Sequence, residues 1–181
     1  MSPREVGLTL KHRDPKARRR PPAGDEPEIT LRPATPRDEN FLFALFASTR
    51  AAEMATTGWP AAQQEVFLRS QFNARRRHYA QVFAGAEPAI VQRGGEAIGT
   101  LMVQRAADEI RVVDLALRAE HRGRGIGRRL LGALQDEARA THRPLRLQVL
   151  KADRAAQLYA RLGFAPTGEN GLYLKMEWRA D

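Results

Sequence analysis

Apolar positions change period several times along the chain, and each change marks an element. Ile29-Thr30-Leu31-Arg32 alternates apolar and polar residues, as a half-buried strand does. Thr35-Pro36-Arg37-Asp38 then supplies an N-cap, a proline at the first helical position and an acid in the first turn, which predicts a helix from about Pro36 to Met54. Phe41, Leu42, Leu45 and Phe46 sit at helical spacing on it and predict a core face. Gly58-Trp59-Pro60 breaks the pattern. A second helix is predicted from about Ala61 through Val66, Phe67 and Phe72. It runs into Arg75-Arg76-Arg77-His78, whose spacing suits a solvated helix end favoured by the macrodipole.

From Ala89 the period becomes two. Ala89-Ile90-Val91, a Gly94-Gly95 turn, Ile98 to Val103, a turn at Ala106 to Asp108 and Ile110 to Leu117 predict a three-stranded antiparallel meander. A glycine-rich loop leads into a helix with Leu130, Leu131, Leu134 and Ala138 on one face, ended near Pro144. Leu145 to Leu150 reads as a strand, about Asp153 to Leu162 as a helix stopped by Gly163, and Phe164 to Thr167 with Leu172 to Trp178 as a hairpin around Asn170-Gly171. The expected architecture is α/β: a mixed, mostly antiparallel central sheet of about seven strands with helices on both faces.

A length of 181 residues suits one domain with a proper core, and 43% hydrophobic with 28% charged residues is a globular composition. Residues 1–28 mix proline, charge and few large apolar groups, which predicts a flexible basic, proline-rich tail ahead of a domain over 29–181. No apolar run is long enough to cross a bilayer, no apolar signal segment opens the sequence, and cysteine is absent, so a cytoplasmic protein without disulfides or thiolate metal sites is expected. The net charge of +9 resides mostly outside the tail, where seven basic residues face five acidic ones. Such a surplus raises the possibility of nucleic-acid binding.

The chemistry-bearing stretch is His121-Arg122-Gly123-Arg124-Gly125-Ile126-Gly127-Arg128-Arg129, between a strand and a helix. Glycines there let backbone amides converge on an anion at a helix N-terminus, and the forks of Arg122, Arg124 and Arg128 suit phosphate oxygens. A diphosphate is the natural guest. The dinucleotide fingerprint would need glycine where Arg128 stands, and the Walker loop would need Gly-Lys-Ser/Thr; neither is met. The four histidines show no metal-ligand spacing, and no Gly-x-Ser-x-Gly elbow is present.

Two motifs in order resemble the GNAT superfamily of acyl-CoA-dependent N-acyltransferases. The first is Arg122, Gly125 and Gly127 after the apolar strand Asp114-Leu115-Ala116-Leu117; the second is Ala156, Leu158-Tyr159 and Gly163-Phe164. The resemblance spans about Ile29 to Trp178. It implies a sheet splayed between its fourth and fifth strands, with acetyl-CoA as co-substrate in the gap. Backbone groups of Leu115, Ala116 and Leu117 would hold pantetheine, and Arg122, Gly123, Arg124, Gly125, Ile126, Gly127 and Arg128 the diphosphate. Tyr159 would protonate the departing thiolate as general acid. The second motif usually opens with asparagine where this chain has Asp153, so Asp153 is expected to cap the helix, with a cofactor contact there in doubt; Ala156 remains in the cofactor set.

The implied function is acetyl transfer from acetyl-CoA to a primary amine, on a small molecule or protein, by direct attack. An ammonium must first lose a proton, and Asp114 and Glu53 are the candidate bases. Trp59, Tyr79, Asn170 and Tyr173 are candidates to line the acceptor pocket, or are ordinary core and turn residues. The competing reading is a basic nucleic-acid-binding protein on a degenerate domain of this kind, against which stands the lack of base-stacking aromatics among residues 118–129.

Overall fold

In a computed structural model that describes residues 27–180, seven strands form one sheet in the order β1-β2-β3-β4-β5-β7-β6. The strands are β1 (Ile29–Pro33), β2 (Pro88–Arg93), β3 (Glu96–Arg105), β4 (Ile110–Leu117), β5 (Leu145–Leu150), β6 (Ala165–Asn170) and β7 (Tyr173–Trp178). All neighbours are antiparallel except β4 and β5, which run parallel. The expected tail falls almost entirely on residues 1–26, outside the described residues; Glu28 already offers its carbonyl to the Gly94 amide at 3.1 Å.

The first predicted helix is broken into pieces. A short 3-10 turn (Pro36–Asp38) precedes α1 (Glu39–Thr49) and α2 (Ala51–Ala55), with Arg50 between them at φ −106°, ψ 2°. Ser48 and Thr49 explain the break, since their hydroxyls donate to the carbonyls of Leu45 and Phe46, both at 2.7 Å, and compete with the next helical turn. The start follows the sequence signal: Asp38 Oδ2 accepts from the Thr35 amide at 2.8 Å and from its hydroxyl at 2.9 Å. Helix α3 (Ala61–Val82) is longer than the pattern predicts and carries the arginine run in its interior rather than at its end. Its Val66 faces outward, while Leu68 and Phe72 are buried.

Helix α4 (Ile126–Ala140) and the short α5 (Ala155–Arg161) cover the other face. Leu130, Leu131, Leu134 and Ala138 of α4 are buried against Ile110, Leu145, Leu147 and Val149 in the main core. Phe46, Met54, Leu68 and Phe72 make a second cluster among α1, α2 and α3. Helices therefore flank the sheet on both sides. No helix among the described residues is long and apolar enough to cross a membrane.

Two irregularities in the sheet set the course of β4. The parallel seam holds only over Ile110 to Val112 against Leu145 to Leu147, after which β4 and β5 part. In the β3–β4 ladder, Met102 pairs with Asp114 and Val103 with Val112, which leaves Val113 as a bulge.

Candidate functional site

The bulge at Val113 decides which way the end of β4 points. The Arg118 amide donates to the Ile98 carbonyl of β3 at 2.9 Å, so by strand alternation Ala116 also faces β3, and the backbone groups of Leu115 and Leu117 face the gap left by β5. The Leu117 carbonyl there receives the Arg122 Nε at 2.8 Å. A strand edge with no partner strand among the described residues thus lines a cleft in the middle of the sheet rather than its rim.

Gly99 makes this strand path possible. It lies opposite Leu117, and a Cβ on it would fall 2.4 Å from the Ala116 carbonyl oxygen and 2.6 Å from Leu117 Cδ2. The loop beyond β4 passes a 3-10 turn (Ala119–His121) and then uses left-handed backbone at Gly123 and Gly125, φ 71° and 77°, with Gly125 as the N-cap of α4. Arg122, Gly123, Arg124, Gly125 and Arg128 are exposed, Ile126 is anchored in the core, and Gly127 lies beside Leu158, where a Cβ would make ordinary contact at 3.6 Å. A helix N-terminus flanked in sequence by the exposed Arg124 and Arg128 is accordingly suited to an anion.

Where β4 and β5 part, a cavity of about 700 Å³ opens between the sheet and helices α1 and α3. Leu115 and Ala116, Asp114, Tyr159, Asp153, Tyr79 and Tyr173 are among its walls. Tyr159 is 9% exposed, with its ring edge-on to Phe164 at 5.8 Å. Burial, helped by the negative charges of Asp153 and Asp114, pushes its hydroxyl up to about 12, so it stays protonated at neutral pH.

Asp114 sits on the bulged strand with its side chain 19% exposed, and burial raises its carboxyl while the Arg75 guanidinium, Nη2 to Oδ2 at 3.3 Å, draws it back down. Arg75 is the residue that the sequence pattern misplaced. It is no solvated helix end but turns into the cavity, its guanidinium 4.8 Å from the Phe46 ring centroid. Phe72, Arg75 and Tyr79 recur at helical spacing, and this shared face was the available signal. Burial also raises the Tyr79 hydroxyl, with Asp114 and Tyr173 adding to the shift and Arg75 opposing it.

Glu53 is not brought to this place. It lies on α2, its side chain 54% exposed and paired with Arg50 at 3.1 Å, because the break at Arg50 turns the end of the predicted helix away. Trp59 packs edge-on against Phe67 at 5.4 Å and is likewise outside the cavity, whereas Tyr79, Asn170 and Tyr173 line it. Asp153 has its Oδ1 on the Ala155 amide at 2.8 Å, a local cap of α5, and also borders the cavity; Ala156 packs against the core instead. Lys151, two residues before Asp153, is engaged with Glu169. Among the described residues no group of three or more His, Asp or Glu side chains is placed to hold a metal ion.

Comparison with known proteins bears on this geometry. Residues 79–166 match the model of the acetyltransferase (GNAT) domain, a stretch that includes Asp114, the glycine loop and Tyr159. The fold is similar to that of the PaiA N-acetyltransferase of Thermoplasma acidophilum in complex with coenzyme A, with TM-score 0.64 and 17% identity over 84% of this chain and 99% of that one. It is also similar to an acetyltransferase from Thermus thermophilus, with TM-score 0.61 and 21% identity over 84% and 97% of the two chains. A GNAT family acetyltransferase from Elizabethkingia anophelis with acetyl-CoA bound gives TM-score 0.54 and 15% identity over 84% and 98%. The matched domain, the splayed mixed sheet and the glycine loop at the head of α4 agree: residues 79–166 are similar to the acetyltransferase (GNAT) domain, and the fold is that of the acetyltransferases compared.

Proposed function

We propose that the protein is an acetyl-CoA-dependent N-acetyltransferase that acts on a primary amine by direct attack. The observation that carries this reading is the open edge of β4, whose Leu115 lines the same cavity as the protonated Tyr159. An extended pantetheine arm with alternating amide donors and acceptors matches such an edge. The diphosphate would rest on the amides and arginines from Arg122 to Arg128, where Gly123 and Gly125 allow the backbone to close on it. Similar folds with coenzyme A and with acetyl-CoA bound support this choice of co-substrate.

In this mechanism Asp114 takes one proton from the acceptor ammonium and leaves a neutral amine. The amine nitrogen attacks the thioester carbonyl, whose oxygen gathers negative charge that the β4 amide of Leu117 faces. As the carbon–sulfur bond breaks, Tyr159 gives its proton to the departing sulfur. The second nitrogen proton is released and restores Tyr159 through solvent, so the products are the N-acetyl compound, free thiol and one net proton. No acyl-enzyme is needed. Several arginines behind the nucleic-acid reading have carboxylate partners within the fold, such as Arg32 with Asp38, Arg105 with Glu137 and Arg146 with Glu109 and Glu177.

Thermal unfolding with acetyl-CoA, and with ATP and NADH as controls, tests the co-substrate. At ~100 times the dissociation constant, binding stabilises by about 2.7 kcal/mol, roughly 5 to 10 °C for a domain of this size. Protection by ATP and NADH equal to that by acetyl-CoA, or none by any of them, defeats the reading. Release of free thiol in the presence of amines tests the reaction.

A further inference from the structure

Arg75 enters the cavity with its guanidinium beside two aromatic rings, 4.8 Å from the Phe46 centroid and 5.4 Å from that of Tyr79. Its ion pair with Asp114 is a single contact at 3.3 Å. Two arginines use their whole fork: Arg32 holds both oxygens of Asp38 at 2.8 and 2.6 Å, and Arg105 both oxygens of Glu137 at 2.7 and 2.9 Å, whereas Arg75 is held in the looser manner of the exposed pairs Arg76–Glu39 and Arg118–Glu96, each a single contact at 3.2 Å. The guanidinium also hydrogen-bonds the Tyr79 hydroxyl, yet a planar fork with five N–H donors, held by one loose carboxylate contact and one neutral hydroxyl, has donors left for a second anion, and aromatic neighbours leave its charge weakly hydrated. Asp114 is in the complementary position, a mostly buried carboxylate with that one cation for company, and a second cation beside it would be well placed. One wall of the cavity therefore presents a positive and a negative group within a few ångströms of each other.

Resting on the acetyltransferase reading, we infer that the acceptor is a small amine carrying its own carboxylate, an amino-acid-like zwitterion whose carboxylate meets Arg75 and whose ammonium meets Asp114. Such a ligand adds no net charge to the site and turns one loose internal pair into two complementary ones. The short Arg75–Asp114 separation sets the span, which suits an amine and a carboxylate one or two carbons apart. Phe83, Tyr79 and Tyr173 line the same cavity and suit an apolar or aromatic side chain. The ammonium delivered to Asp114 is also the one that must lose its proton, so recognition and activation coincide.

The test compares kcat/KM for thiol release with leucine and phenylalanine, the amide and the decarboxylated amine of each, and a peptide whose one amine is a lysine side chain. Free amino acids are expected to lead by about ten- to a hundredfold, the worth of a charge-assisted contact. Arg75→Met should shrink that lead to within about twofold, and Arg75→Lys should keep part of it. Because Arg75→Met also leaves Asp114 without its counter-ion and slows every acceptor alike, the ratio between acceptors is the readout. Protection of each variant by acetyl-CoA checks that it folds, and the wild-type ratio decides alone if it does not. Equal or better use of the amides, amines or peptide overturns the inference, as does an unchanged ratio in Arg75→Met. Wild-type protein protected by acetyl-CoA that acetylates none of the amino acids also overturns it, while the co-substrate reading survives. Loss of acetyl-CoA protection in the wild type would instead remove the acetyltransferase reading itself.

Discussion

Gly99 and Ala116 approach so closely that a single methyl group would not fit between them: the place of a Cβ on Gly99 is 2.4 Å from the Ala116 carbonyl oxygen. The obstacle is backbone, which cannot swing aside as a flexible side chain would. Gly99→Ala is expected to cost about 2 to 3 kcal/mol, as overpacking in a tight core does, and to lower Tm by roughly 5 to 10 °C. It should also weaken acetyl-CoA protection, since the residues pushed aside form the open edge. A variant as stable as the parent in thermal melts would show that β4 has more freedom than this contact allows.

Tyr159→Phe removes a hydroxyl and keeps the ring against Phe164. Loss of a general acid costs about a hundredfold or more in kcat, with KM for acetyl-CoA little changed. A kcat within about threefold of the parent in steady-state assays would assign protonation of the sulfur to another group.

The pH profile follows from Asp114 and Arg75. Burial raises the Asp114 carboxyl and Arg75 lowers it, so the acid limb of kcat/KM should lie above the ordinary carboxylate range. Arg75→Met takes away the lowering influence and should move that limb to higher pH; Asp114→Asn should abolish it. A limb that stays in place in both variants would point to the amine itself as the group being titrated.

Asp38 ties the sheet edge to the first helical turn. Its carboxyl is held well below the usual range, first by the Arg32 fork and then by the Thr35 amide. A depressed carboxyl stabilises the fold above the unfolded-chain pKa, and that contribution disappears as pH falls through and below 3.8. Asp38→Asn is expected to cost about 2 kcal/mol at pH 7, and less than half as much at pH 2, in urea melts. An equal loss at both values would assign the effect to packing rather than charge.

Much of this architecture is visible in the order of residues, and the exceptions have physical causes. β4 and β5 have the bounds that their apolar runs predict, and the buried face of α4 is the one its leucines mark, because local period and tertiary burial agree there. The glycine loop and Tyr159 were legible through motif spacing. Arg75 was not, because three successive arginines look like solvent, and only the placement of α3 over β4 turns one of them inward. Glu53 was misjudged because helical periodicity carries no notice of a break made by Ser48 and Thr49 bonding back to the preceding turn. Two signals stood in the sequence unread: the lone Gly99 inside a strand, which marks close backbone approach, and the doubled Val112-Val113, where alternation slips by one residue.

The three-pair seam between β4 and β5 is the whole of the backbone ladder that joins β1 to β4 with β5 to β7. Cohesion across that line therefore depends on side chains of α4 and on whatever occupies the gap. Amide hydrogens of β5 should exchange faster with solvent in protein alone than in protein saturated with acetyl-CoA, while those of β2 and β3 should be nearly indifferent. The lifetime of the molecule against proteases would then rise and fall with the supply of its own co-substrate.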